Sequence, residues 1–203
     1  MHLSSLPSPH GIGSMGEPAR RFADFLQQAG QACWQLLPVC PTSYGDSPYQ
    51  SFSTYAGNPY FIDLDELERQ GYLRREEYEN IDWECGPDRI NYGVLYEKRY
   101  PVLEKAAERF RESPPGDYET FCRENARWLD DYACFMALKD AHGGAPWFDW
   151  EPALRNREEQ ALEEACVRYA EQIEFWKICQ YLFFEQWKAL RSYVNERGIR
   201  IIG

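Results

Sequence analysis

Two short apolar runs, set far apart in the chain, constrain its fold more than any other feature. Residues 33–39 read CWQLLPV and residues 199–202 read IRII. Each has the length of a strand, and each is bounded by polar or glycine- and proline-containing sequence, as a buried parallel strand is. Pro38 ends the first run, because proline has no amide hydrogen to give to a ladder. About 160 residues lie between the two runs, whereas a βαβ crossover needs only a dozen or so. The expectation is a pair of parallel strands joined by a right-handed crossover, with a mainly helical subdomain inserted in the connection. Two strands alone leave both faces and both edges of a parallel sheet uncovered. The chain therefore reads as the front part of a larger α/β structure, with open strand edges that favour self-association.

The helical pattern is explicit on both sides of the first run. Residues 17–30 read as a helix with Pro18 in its first turn and Gly30 at C′, and Ala19, Phe22, Phe25, Leu26 and Ala29 on its apolar face. Residues 74–91 are charged and loop-like. Residues 91–112 form a helix bent near Pro101, and residues 116–141 a second, with Cys122, Leu129, Tyr132, Ala133 and Met136 on one face. GGAPW at 143–147 breaks the pattern. A long helix then runs from about 156 to 197, broken once, with the stripe Ile173, Trp176, Cys179, Phe183, Trp187, Leu190 and Val194 directed to the core. Gly198 takes its C′ position.

Composition excludes several partners. The formal net charge is −11, and no basic run is longer than a pair, so nucleic acid and anionic membranes are not expected to bind. Seven cysteines form no CxxC pair and read as reduced, buried thiols. His2, His10 and His142 lie far from any cysteine pair, so no zinc site is expected. No apolar run approaches the roughly 20 residues that span a bilayer, and the N-terminus has no signal-peptide pattern. The expected location is the cytoplasm.

The candidate site follows directly from the first strand. Residues 41–60, PTSYGDSPYQSFSTYAGNPY, hold four tyrosines, four serines and one charged residue, Asp46. In a parallel α/β architecture ligands bind beyond the C-terminal ends of strands, where this stretch begins. Tyrosine rings stack on sugar faces, and hydroxyl and amide groups pair with sugar hydroxyls. A neutral polyhydroxylated ligand fits this composition. A Tyr/Ser/Gly/Pro loop packed over a barrel end for structure alone fits it equally. Asp46 reads first as a turn residue, and otherwise as an N-cap or a ligand contact.

The wording of several segments is more specific. HLSSLPSPHGIGSMG (2–16), CWQLLPVCPTSYGDSPYQSFSTYAGNPYFIDLDEL (33–67), FMALKDAHGGAPW (135–147) and LFFEQWKALRSYVNERGIRIIG (182–203) closely resemble the 4-α-glucanotransferases, the amylomaltases or disproportionating enzymes. The resemblance covers essentially the whole chain in order. It implies an incomplete (β/α)8 TIM barrel of class α/β, with residues 1–66 as the start of the barrel and its glucan-binding loop, 67–155 as the inserted helical subdomain, and 156–203 as the return helix and next strand. It implies transfer of α-1,4-glucan segments between maltooligosaccharides by a retaining double displacement, which needs a close pair of carboxylates. None of the Asp or Glu residues here matches the family's catalytic carboxylates, so no catalytic residue is assigned and the isolated chain is expected to be inactive. The chain looks cut at both ends and corresponds to about the first two-fifths of such an enzyme. The family motif places Ser47 and Tyr49 at the donor side of the cleft and Tyr44 in a second glucan-binding groove. Tyr96 belongs to that groove on weaker resemblance, and Asp46 and Gln50 shape the loop. Cys40 departs from a common glycine. The resemblance implies no cofactor and no metal. The glucanotransferase part of debranching enzymes is the nearest alternative on substrate grounds, and an inactive glucan-binding or interaction fragment is another.

Overall fold

The structure, a computed structural model, describes residues 1–86 and 89–203. The two apolar runs do meet. β1 (Cys33–Gln35) and β2 (Arg200–Ile202) pair in parallel, with Cys33 opposite Arg200, Trp34 opposite Ile201 and Gln35 opposite Ile202. The Arg200 amide donates to the Ala32 carbonyl at 2.9 Å and the Leu36 amide to the Ile202 carbonyl at 2.8 Å. The expected strand is shorter and less buried than its composition suggests. β1 spans three residues, and only Trp34 is buried; Cys33 and Gln35 point to the open side. β2 contains no buried residue. A strand buries both faces only when layers cover both, and among the described residues the sheet has these two strands alone.

Trp34 is covered from one side. Its indole nitrogen donates to the Met1 carbonyl at 2.7 Å, and Phe22 meets it edge-on at 5.0 Å. Phe22 comes from α1 (Glu17–Gln28), which has Pro18 in its first turn and Gly30, at φ +67°, just past its Ala29 cap. Glycine adopts that left-handed conformation without steric cost, as predicted for C′. The face of α1 differs from the expected one. Ala19 and Ala23 are buried, Phe22 and Leu26 are half-buried, and Phe25 is 60% exposed. Phe25 lies two residues beyond Ala23, about 200° further round the helix, so it faces away from the contact that the small residues make.

The chain divides into two compact units, one of residues Met1–Pro114 with Leu182–Gly203 and one of Pro115–Tyr181. The first contains α2 (Leu64–Arg69) and α3 (Tyr92–Glu112). Asn91 caps α3 by accepting from the Val94 amide at 3.3 Å, and Pro101 lies inside the helix. Leu95, Val102, Leu103, Ala106, Ala107 and Phe110 bury one side of it. The N-terminal segment packs as core, with Leu3, Leu6, Ile12 and Met15 at most 4% exposed. Pro87 and Asp88, within the expected loop 74–91, lie outside the described residues.

The second unit contains α4 (Tyr118–Ala141), α5 (Pro152–Arg155), α6 (Glu159–Arg168) and the front of α7 (Ala170–Glu196). Leu138, Trp150 and Ala165 form a buried cluster, with Phe135, Leu154, Leu162 and Tyr169 against it. The long helix expected from 156 is broken at Tyr169 and begins at Glu159, because Arg157 at φ +58° cannot continue a right-handed helix. Five residues of the predicted α7 stripe, Trp176, Cys179, Phe183, Leu190 and Val194, are at most 2% exposed, while Ile173 and Trp187 are half-buried.

One expectation about side chains needs correction. Only Cys179 is buried; Cys33, Cys85 and Cys166 are exposed, and the other cysteines are half-buried. Cys33 shows the reason, since it occupies an outward position of β1 whose opposite face carries Trp34. Among the described residues no cluster of three His, Cys, Asp or Glu side chains could hold a metal ion, and no helix is long and apolar enough to cross a membrane.

Candidate functional site

The stretch after β1 is held by its own backbone. The Asn58 amide donates to the Val39 carbonyl at 2.9 Å and closes its base. Inside that closure Thr42 and Ser51 form an antiparallel bridge, and the Ser43 amide donates to the Gln50 carbonyl at 3.0 Å. Two turns fill the tip: the Asp46 amide donates to Ser43 O and the Gln50 amide to Ser47 O, both at 3.0 Å. Gly45 and Asp46 have φ of +89° and +56°. Asp46 thus has the turn role read first from the sequence, since aspartate tolerates the left-handed region better than most residues.

Two of the serines bond within the loop. Ser51 Oγ donates to Ser53 O at 2.8 Å, and Ser53 Oγ accepts from the Tyr55 and Ala56 amides at 3.2 Å. These hydroxyls fix the path of the loop. Ser47 and Gln50 lie on one turn with Tyr49, whose amide approaches Ser47 Oγ at 3.4 Å. The rings point outward. Tyr44 is 97% exposed and Tyr49 75% exposed. A stiff backbone that presents exposed rings loses little side-chain or loop entropy on binding, which suits recognition of a flat ligand face.

Asp46 acts through its charge on a second aromatic group. Burial raises its carboxyl above the usual range, and burial together with the Asp46 charge raises the phenols of Tyr60 and Tyr92. Tyr60 lies 6.3 Å from the Tyr92 ring and 5.7 Å from the Tyr100 ring, and Tyr96 meets Tyr100 edge-on at 5.7 Å. Tyr96 is 54% exposed and forms the outer member of this cluster. The Asp46 carboxyl is thus near enough to Tyr60 and Tyr92 for its charge to act on them, Ser47, Tyr49 and Gln50 share one turn of the loop, and Tyr44 stands in solvent. Sequence reasoning missed Tyr60, Tyr92 and Tyr100. The signal was available: NYGVLYEKRYP places tyrosines at 92, 96 and 100, a four-residue spacing that puts all three on one helix face.

The loop's far end is anchored in the core. Gly57 lies against Phe183, where an added Cβ would fall 2.0 Å from the ring. Asp63 accepts from Ser14 Oγ at 2.6 Å and from the Glu66 amide at 2.9 Å, capping α2. Gln186 of α7 clamps the Asp63 backbone, with its Oε1 taking the amide at 2.6 Å and its Nε2 giving to the carbonyl at 3.1 Å. Arg99 is 1% exposed and donates to the carbonyls of His10 (3.2 Å) and Ile62. Burial draws its guanidinium down to about 10, opposed by the Asp63 charge. Beyond β1 and β2, Leu36, Pro38, Trp187, Arg191 and Ile201 line a cavity of about 180 Å³. That is below the usual size of a small-molecule pocket.

Comparison with known proteins agrees along the whole chain. A family profile described as 4-alpha-glucanotransferase matches residues 1–203. The 4-alpha-glucanotransferase of Thermus thermophilus is 49% identical over 207 aligned positions, covering 100% of this chain and 40% of that protein. That of Clostridium butyricum is 44% identical, covering 100% and 42%. Among solved structures, an amylomaltase from Streptococcus agalactiae in complex with acarbose superposes with a TM-score of 0.96 at 42% identity, over 100% of this chain and 41% of that one. Amylomaltase from Corynebacterium glutamicum shares the fold, with a TM-score of 0.69 at 19% identity. The chain spans about two-fifths of the length of the curated relatives it matches.

Proposed function

Since the chain belongs to the 4-alpha-glucanotransferase family, we propose that it supplies the glucan-holding surface of an enzyme that transfers α-1,4-glucan segments between maltooligosaccharides. One observation carries this reading: a loop closed by its own backbone hydrogen bonds displays Tyr44 and Tyr49 to solvent. Glucan chains are neutral and present alternating apolar faces and hydroxyl edges, which rings and amide or hydroxyl groups match. The acarbose bound by the Streptococcus agalactiae amylomaltase supports an oligosaccharide as the ligand class.

In this reading Tyr49 stacks on the donor sugar, Ser47 and Gln50 pair with its hydroxyls, and Asp46 holds the loop turn. Tyr44 and Tyr96 grip glucan outside the cleft. Residues 1–66 and 156–203 serve as barrel start and return, and residues 67–155 as the inserted helical part. This is a division by role, whereas compactness divides the chain at 115 and 181. The open edges of β1 and β2 suit further parallel strands or a second copy. Free thiols suit a reducing compartment, and the cytoplasm is the location proposed.

Titration of this chain with maltoheptaose tests the assignment. Millimolar sugar is expected to perturb the Tyr44 and Tyr49 resonances in protein-observed NMR. An unperturbed spectrum of a folded sample would overturn it. The same chain is expected to release no glucose from maltotriose, because the reacting carboxylate pair is not among the residues the family resemblance assigns. Release above a blank would overturn that part.

A further inference from the structure

The helical unit contains a feature that glucan transfer does not use. Cys134 of α4 and Cys166 of α6 face each other with their sulfurs 3.8 Å apart. Both line a cavity of about 490 Å³ whose wall includes the apolar Phe135, Leu138, Trp150 and Leu162. Arg157 and Asp131, ion-paired at 2.8 Å, sit on the same wall. The two thiols differ in access: Cys166 is exposed and Cys134 is half-buried.

We propose that Cys134 and Cys166 are a redox-active dithiol that a small external disulfide oxidises to an intramolecular cross-link between α4 and α6. A disulfide needs its sulfurs at about 2.05 Å, so they must close by under 2 Å. Modest rotation about the two Cα–Cβ bonds moves a sulfur that far. The two helices already hold the sulfurs in contact, and the intervening chain contains the turns at 143–158 that the cross-link would bridge.

Accessibility sets the order of steps. The Cys166 thiolate attacks one sulfur of the external disulfide RS–SR. This forms a mixed disulfide at Cys166 and releases RS⁻. Cys134 then loses its proton and attacks the Cys166 sulfur, forming the protein disulfide and releasing the second RS⁻. The dithiol loses two electrons, RS–SR gains them, and the two cysteine protons end on the two released thiols. Burial, and next the adjacent Cys166 charge, hold the Cys134 thiol up at about 12, while Arg157 acts in the opposite sense. Once Cys166 carries the mixed disulfide its charge is gone, so Cys134 becomes easier to deprotonate at the step where it is needed.

The test is treatment of the protein with oxidised glutathione, followed by alkylation and peptide mapping. The expected product is a Cys134–Cys166 linked peptide, with a mass loss of two hydrogens and reversal by dithiothreitol. Cys134→Ser is expected to stop at a persistent glutathione adduct on Cys166. A persistent adduct on Cys166 in the unsubstituted protein, linkage of Cys134 to a different cysteine, or full alkylation of both thiols after treatment would each overturn the proposal. Mapping of the unsubstituted protein decides the matter even if the variant fails to fold.

Discussion

The loop 42–51 and the segment 57–67 adjoin in sequence and belong to the same family-like stretch, yet they are built in opposite ways. The loop satisfies its backbone internally, through Ser43 with Gln50, Asp46 with Ser43 and Gln50 with Ser47, and leaves its rings in solvent. Segment 57–67 buries most of its side chains and has several of its polar groups satisfied from afar, by Ser14, Arg99 and Gln186. The exposed rings of Tyr44 and Tyr49 are thus available to a ligand at little cost in stability. In the neighbouring segment the buried Asn58 and Asp63 are part of the fold.

Loss of Arg99 is the strongest way to break the comparison. Its guanidinium satisfies the His10 and Ile62 carbonyls, and the buried Asp63 charge lies close enough to oppose the effect of burial on it. Arg99→Ala leaves those carbonyls unsatisfied and Asp63 without a compensating charge. A cost of about 3–5 kcal/mol is expected. Urea unfolding should show a large fall in midpoint or no folded baseline. A variant as stable as the parent would refute the idea that this segment is held by remote partners.

Gly57→Ala is next. The added methyl would fall 2.0 Å from the Phe183 ring, closer than any real contact, so either the ring or the loop end must shift. Overpacking of this kind costs about 1–3 kcal/mol. Phe183→Leu should recover part of the loss in the double variant, and failure to recover it would show that the strain lies elsewhere.

A smaller effect is expected at the polar edge of the same unit. Arg109 donates to both Glu77 oxygens at 2.7 and 2.8 Å and to the Tyr72 carbonyl at 3.0 Å. Hydrogen bonds from Arg109 bring the Glu77 carboxyl down to about 2. A carboxylate with a depressed folded value contributes stability above its ordinary value of 4.5. That contribution is lost as the pH falls from there through about 2. Arg109→Ala is expected to cost about 1–2 kcal/mol at neutral pH, after allowance for solvent screening, and to flatten the acid limb of the stability curve between those values. An unchanged acid limb would show that the pair is not coupled to folding.

Much of the layout was legible in the sequence, and the gaps have physical causes. The pairing of residues 33–39 with 199–202 followed from two apolar runs, and the caps at Gly30 and Gly198 from backbone chirality. The burial of β1 did not follow, because an apolar run reports a strand's composition and not how many layers cover it. Phe25 was placed on the wrong side of α1 because small residues, Ala19 and Ala23, define the close contact there and carry little hydrophobic signal. In the site, the exposed Tyr44 and Tyr49 were readable as a neutral aromatic run. The Tyr92, Tyr96 and Tyr100 face was readable in principle from its spacing, but its link to Asp46 depends on a tertiary approach that spacing cannot encode.

The smallest effect on stability is the one that sharpens the comparison most. Tyr44→Ala and Tyr49→Ala each remove a ring that is at least 75% exposed, and no turn hydrogen bond of the loop depends on either side chain. Their unfolding free energies should stay within about 0.5 kcal/mol of the parent. Maltoheptaose affinity should fall by about 3- to 10-fold for Tyr49, the expected loss of one stacked ring. Tyr44→Ala should spare short oligosaccharides and weaken longer ones, if its groove lies outside the cleft. A stability loss equal to that of Gly57→Ala would make the loop as structural as its neighbour, and unchanged affinity for every chain length would remove the rings from recognition.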